Sequence, residues 1–204
     1  MKVFTEKEAE KFLSDKGFKI VKTCFAKSKK DLVSISKTIK FPWAMKVNSK
    51  KIIHKKRSGG VILDIKNLKE AENAFHELYE LEGFESAIIQ PMLIGKELII
   101  GIKRTPEFGQ VIMIGKGGSD VEKEKDVSFR VIPLKKEDAL LMLKELQFYP
   151  ALKQSRVKFK EIEKTLLKIS RLATTYPNIA ELDINPLMIN AKSAQVVDAR
   201  VVFG

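Results

Sequence analysis

Two runs of alternating apolar and polar residues near the carboxyl end, Ile179 to Ile184 and Ala194 to Val202, flank the turn Asn190-Ala191-Lys192-Ser193. Strands joined this closely pair antiparallel, so a purely parallel, doubly wound sheet is excluded. In a strand the side chains alternate with period two. Ala180, Leu182 and Ile184 therefore face a core, and Glu181, Asp183 and Asn185 share the opposite face, about 7 Å apart at successive Cα atoms. If the turn closes with Asn190 facing Ser193, paired residue numbers sum to 383 and Asn185 lies across from Asp198. Two carboxylates, Asp183 and Asp198, then stand with one amide oxygen around a single region of sheet. Hard oxygen donors of that kind suit Mg²⁺, which completes its shell with water and substrate phosphates. The plainer alternative is an amphipathic edge hairpin, although acids are depleted in strands.

The rest of the chain allows an α/β fold with hairpins as well as crossover helices. It has 204 residues, of which 44% are apolar and 31% charged, a composition that folds. No run approaches 18 uncharged apolar residues, so no membrane span is expected. The amino end MKVFTEKEAEKF lacks an apolar core of signal-peptide type. One cysteine, Cys24, rules out a disulfide framework and fits a reducing, cytoplasmic setting. The net charge of +12 is concentrated: residues 16 to 57 hold 13 lysines, one arginine and one acid. Such a patch favours polyanions. Nucleic acid is the weaker reading, because no recognition motif accompanies the patch and lysine outnumbers arginine. Neither GxGxxG nor the GxxxxGK phosphate motif occurs.

Helices are expected over 5–16, with Thr5 and Glu8 as a capping box and Phe4 stapled to Ala9, and from Asn67 to about Glu82. Two more run from about 135 to 147 and from 159 to 176. A short helix or loop covers 28–39. Strands are expected at 18–25, 43–47, 61–65, 87–91, 97–104, 111–114 and 127–132, with a hinge at 92–95. Two glycine loops, Ser58-Gly59-Gly60 and Gly115-Lys116-Gly117-Gly118, could bring backbone amides close to phosphate. His54 lies in the first, among Lys55, Lys56 and Arg57; the other histidine, His76, falls on a helix and reads as solvated.

Five blocks, PWAMKV, IIHKKRSGGV, ELIIGIKRTPEFGQVIMIGKGG, DVSFRVIPL and ELDINPL with VVDARVV, resemble the β subunit of ADP-forming acyl-CoA synthetases and its ATP-grasp domain. The resemblance spans nearly the whole chain. It implies an ATP-grasp fold, with two α+β subdomains gripping a nucleotide, and an acid–thiol ligase active only with an α subunit that carries the CoA-binding part. It implies that Lys46 contacts the α-phosphate of ATP, that Gln90, Pro91, Met92 and Leu93 hold adenine by their backbone, and that Glu97 lies near the nucleotide. Lys55, Gly59, Gly60, Gly117 and Gly118 would line the phosphates. Asn185 and Asp198, with Asp183 close by, would ligate Mg²⁺, and His54 would carry a phosphoryl group between a histidine of the α subunit and ADP. The resemblance also implies an α2β2 assembly, and subdomains at 18–90 and 91–204 after an amino-terminal helix at 1–17.

Two departures stand out. The second glycine loop usually reads GLGG, and here it is GKGG followed by Ser119 and Asp120. A later block usually reads LxGxRG, and here it is Leu152-Lys153-Gln154-Ser155-Arg156-Val157. They motivate one alternative, a nucleotide-binding module that has lost phosphoryl transfer. ELDINPL alone would also fit a succinate–CoA ligase β subunit.

Overall fold

In a computed structural model, which describes residues 1–49, 51–52, 55, 58–118 and 126–204, the polypeptide divides into two units. The larger comprises residues 1–20 and 94–204, the smaller residues 21–93. The expected breaks at 17/18 and 90/91 thus lie three residues before the observed ones. The amino-terminal helix is no separate piece, because Ala9 and Leu13 are fully buried in the core of the larger unit. No helix among the described residues is long and apolar enough to cross a membrane.

The smaller unit holds β2 (Cys24–Ala26), α2 (Lys29–Ser36), β3 (Trp43–Asn48), β4 (Val61–Ile65), α3 (Leu68–Tyr79) and β5 (Ser86–Pro91). Its antiparallel sheet runs β2-β5-β3-β4. Trp43, Met45 and Val47 alternate inward with Ala87 and Ile89, against Leu32 and Ile35 of α2 and Ala71, Phe75 and Leu78 of α3. The last three recur at helical spacing, and Asn67 caps the helix by accepting from the Glu70 amide at 3.0 Å. Trp43 keeps its indole satisfied by donating to the Ile39 carbonyl at 3.0 Å.

The larger unit holds β1 (Lys2–Val3), α1 (Glu6–Asp15), β6 (Lys96–Thr105), β7 (Gly109–Lys116) and β8 (Val127–Val131). It continues with α4 (Lys136–Glu145), α5 (Tyr149–Gln154), α6 (Phe159–Thr175), β9 (Ile179–Ile189), β10 (Ala194–Val196) and β11 (Ala199–Phe203). The sheet order is β1-β11-β9-β6-β7-β8, with β10 also paired to β9. One face is dry: Leu98, Ile100, Ile102, Ile112, Ile114, Leu182 and Ile184 share a core with Met142, Leu143, Ile162, Leu166, Ile169 and Ala173. The other face, that of Gly101, Met113 and Asp183, carries the candidate chemistry.

The hairpin register is the expected one. Ile189 pairs with Ala194, Leu187 with Val196, Ile184 with Ala199 and Asp183 with Arg200, each summing to 383. Against β6, however, the register of β9 shifts between Leu98–Leu187 and Ile100–Ile184. One extra residue of β9 sits there, at Asn185–Pro186, where proline has no N–H to give to the ladder. The buried residues accordingly change parity, from Leu182 and Ile184 to Leu187 and Ile189. The partner strand changes in step, from Val201 and Ala199 to Val196 and Ala194.

One local expectation needs correction, and two details add to the reading. Residues 18–25 do not form one strand: Ile20 makes an isolated bridge to Val196, and the strand begins at Cys24. Phe18 is buried in the larger unit, whereas Val21 onward belongs to the smaller, so one strand cannot serve both cores. Phe4 packs edge-on against Phe12 and at a tilt against Phe203, with ring centroids 5.8 and 5.0 Å apart, because β1 pairs with β11 beside it. Helix α5 was not foreseen, although Pro150 in its first turn suits a helix start.

Candidate functional site

The pair Asn185 and Asp198 sits at the bulge. The Asn185 amide donates to the Asp198 carbonyl at 3.1 Å, which fixes the two residues opposite each other. A bulge re-aims the side chains it carries, and Asn185 is one of them. Two residues back along β9, the carboxyl of Asp183 is pushed up to about 6, chiefly by burial and then by the negative charges of Asp198 and Glu181. Arg200, paired with Asp183 in the register, opposes that shift and also reaches Glu181 at 3.6 Å. Gly101 faces Asp183 from β6. A Cβ there would stand 3.9 Å from Asp183 Oδ1 and 3.7 Å from Met113 Cε, so glycine keeps the space beside the carboxylate clear.

Among the described residues no three His, Cys, Asp or Glu side chains are grouped to hold a metal by themselves. The candidate set is two carboxylates and an amide, which fits a cation that takes few protein ligands and keeps the rest of its shell for phosphate and water. The raised Asp183 is consistent with that fit, since burial beside two like charges disfavours its ionised form and a divalent cation would reverse the balance.

Glu97 and the second glycine loop form a neighbouring group. The Gly117 amide donates to the Glu97 carbonyl at 2.8 Å. A Cβ on Gly117 would lie 2.8 Å from backbone atoms of Glu97 and Leu98, so only glycine fits. Gly118 has φ +108°, and its Cβ position is 3.1 Å from Glu97 Oε2. Ser119 and Asp120 lie outside the described residues. Past them, buried Asp126 accepts from the amides of Gln147 and Phe148, both at 2.8 Å, while its carbonyl accepts from Lys116 at 3.2 Å. Sequence reasoning missed Asp126. It closes a charged run, VEKEKD, and nothing in its spacing marks a carboxylate that caps a distant backbone.

In the smaller unit Lys46 is buried. It lies on the face of β3 opposite Trp43, Met45 and Val47, paired with Ile88 and Val61. The first glycine loop is seated next to it. The Gly60 amide donates to the Lys55 carbonyl at 2.7 Å, and the Gly60 carbonyl accepts from Val47 at 2.8 Å. A Cβ on Gly60 would meet Val47 Cγ1 at 2.5 Å, and Gly59 adopts φ +70°, so both positions call for glycine. His54, with Lys56 and Arg57, lies outside the described residues. Gln90 is buried and donates to Thr23 Oγ1 at 3.1 Å. The Met92 amide donates to the Pro42 carbonyl at 2.8 Å. Pro91 closes β5, and Leu93 is the last residue of the unit. His76 is exposed on α3, 3.7 Å from Glu80, in keeping with a solvated helix residue.

Residues 1–203 match the model of the ATP-grasp domain family. The chain belongs to that family. Over 210 residues it is 39% identical to the β subunit of the ADP-forming acetate–CoA ligase I of Pyrococcus furiosus, covering 97% of this chain and 90% of that subunit. It is 38% identical to the ADP-forming acetate–CoA ligase II of Archaeoglobus fulgidus, covering 98% of this chain but 30% of that longer polypeptide. Among solved ATP-grasp relatives, the dinucleotide-forming acetyl-coenzyme A synthetase 1 of Ca. Korarchaeum cryptofilum, in complex with coenzyme A, Ca-AMPCP and HgCl⁺, superposes with a TM-score of 0.90 at 35% identity, covering 100% and 94% of the two chains. The same enzyme with coenzyme A and Mg-AMPPCP, its phosphohistidine segment pointing towards the nucleotide binding site, superposes at 0.84 with 34% identity, covering 100% and 93%.

Proposed function

We propose that the chain is the nucleotide-binding β subunit of an ADP-forming acyl-CoA synthetase, catalysing acyl-CoA + ADP + phosphate ⇌ carboxylic acid + CoA + ATP together with an α subunit. The observation that carries this reading is the 383 register, which sets Asn185 across from Asp198 at a bulge beside the raised Asp183. Asn185 and Asp198, with Asp183 adjacent, would hold Mg²⁺. When bound, that ion neutralises charge on nucleotide phosphate oxygens.

The chain's own groups do the rest. Lys46 meets the α-phosphate, and its burial makes the charge more effective than a solvated one. Glycines 59, 60, 117 and 118 let backbone approach the phosphates closely, with Lys55 adding charge and Glu97 orienting the nucleotide. Adenine is held along Gln90 to Leu93. The Met92 amide is already engaged by Pro42, so the Met92 contact comes from its carbonyl. His54 is the carrier. Its neutral imidazole attacks the phosphorus of the phosphohistidine presented by the α subunit, breaking one N–P bond and forming another. An oxygen of the ADP β-phosphate then attacks that phosphorus, releasing imidazole and forming ATP. The lysine-rich surroundings of His54 favour the anionic groups in transit.

The Pyrococcus furiosus relative that this chain matches over 90% of its length is named a β subunit, which supports a separate α partner. We place the pair in the cytoplasm as an α2β2 assembly. The test uses Asp198→Asn. With the α subunit present, it should weaken Mg²⁺-dependent ADP binding at least tenfold while circular dichroism stays unchanged. An unaltered Mg²⁺ dependence would remove Asp198 from the metal site.

A further inference from the structure

A cavity of about 250 Å³ opens on the larger unit, floored by Phe18, Leu187, Ala194 and Val196, with Leu167 at its side. None of the residues assigned above lines it. Its rim is cationic. Lys164, Lys168 and Arg171 occupy one stripe of α6 at i, i+4 and i+7, and Lys19 faces them, against a single carboxylate, Glu161. The wall is fixed in place: Lys168 Nζ donates to the Gly17 carbonyl at 2.7 Å and stands 5.1 Å from the Phe18 ring centroid.

Three features say what such a groove takes. First, Lys164 meets Glu161 and Lys168 the Gly17 carbonyl, yet with Arg171 and Lys19 the rim still carries four cations against one carboxylate. Second, the groove already holds one carboxylate in the manner a ligand's would be held. Glu161 accepts from Lys164 at 3.1 Å, with Lys158 at 4.0 Å, and these cations keep it below the ordinary carboxylate range. Third, the cavity is smaller than the roughly 300–1,000 Å³ of small-molecule sites and is floored by apolar side chains. It suits one large apolar anchor of a protein segment better than a cofactor or a chain of phosphates. Glu161 at the rim also tells against a polyphosphate.

We propose that this groove docks an acidic segment of the α subunit, with one apolar side chain in the cavity and its flanking carboxylates on Lys164, Lys168 and Arg171. The inference rests on the two-subunit reading above. In relatives that carry more than this domain in one polypeptide the remainder is tied covalently, whereas a separate β chain must hold its partner through its surface.

The experiment compares binding of the purified α subunit to the unaltered chain, to Lys164→Glu/Arg171→Glu and to Lys37→Glu/Lys40→Glu, by isothermal titration calorimetry. The first variant puts acids on both sides of Lys168 in exchange for the Lys164–Glu161 pair, and its circular dichroism spectrum must match that of the unaltered chain. The second makes the same change of net charge at exposed lysines of the smaller unit. The groove variant should lose at least tenfold in affinity for the α subunit and keep its affinity for ADP, and the control should match the unaltered chain. Affinity within twofold of the unaltered chain, or an equal loss in the control, overturns the docking site. Failure of the unaltered chain to bind the α subunit at all overturns the two-subunit reading and the docking site with it; loss confined to the groove variant supports both.

Discussion

Replacing Asp183 with Asn should stabilise the metal-free protein, and the gain should depend on pH in a defined direction. The Asp183 carboxyl is raised from 3.8 to about 6 in the folded chain, by burial and by the charges of Asp198 and Glu181. A carboxyl raised on folding costs nothing below its unfolded value, because it is protonated in both states. The cost grows as pH climbs from about 4 to about 6, and is complete above that. At about 1.36 kcal/mol per pH unit it amounts to about 3 kcal/mol at pH 7 and about 1 kcal/mol at pH 4.5. Asparagine does not ionise and so escapes it. For a chain of this length each kcal/mol moves the midpoint by about 2–4 °C, so the variant should melt about 6–12 °C higher at pH 7, and only a few degrees higher at pH 4.5. Thermal denaturation by circular dichroism in the presence of a chelator measures both. Adding Mg²⁺ and ADP should shrink the gap at pH 7, since a bound cation removes the repulsion that the variant avoids. Equal midpoints at pH 7, or a gap that does not change with pH, would refute the reasoning that burial and two neighbouring carboxylates outweigh Arg200 at Asp183.

Two further substitutions probe the second glycine loop. Gly117→Ala would press a Cβ to 2.8 Å from the backbone of Glu97 and Leu98. It should lower ADP affinity at least tenfold and stability by about 1–3 kcal/mol, read by calorimetry and urea unfolding. Asp126→Ala leaves the amides of Gln147 and Phe148 without their acceptor. It should cost about 2–3 kcal/mol and speed hydrogen exchange at those two amides before the rest of the unit.

Legibility differed from one part of the chain to another for physical reasons. The hairpin register was readable because alternation and the turn Asn190–Ser193 leave one pairing, and the structure has it. The bulge was overlooked, although its signal was present: the inward residues change from even to odd numbers across Pro186, a residue that cannot give a ladder hydrogen bond. Helix caps at Thr5 and Asn67 were legible because the partner is three residues away. Contacts between distant segments were not. Asp126 caps backbone 21 and 22 residues further on, and Phe18 leaves its apparent strand for another unit's core. Glycines could be picked out as loop residues, but the sequence did not reveal that Gly117 and Gly60 are required by contacts with Glu97 and Val47.

The covalent role proposed for His54 is the central claim, and one measurement addresses it directly. The chain and its α subunit are incubated with acyl-CoA and phosphate but no ADP, quenched at alkaline pH where phosphohistidine survives, and mapped by mass spectrometry. An acid-labile phosphate should be found on His54, should vanish when ADP is added with release of ATP, and should be absent from His54→Asn. Phosphate on His76 in place of His54, or substantial acyl-CoA turnover by the Asn variant, would contradict the account and leave the loop around residue 54 as a phosphate clamp only.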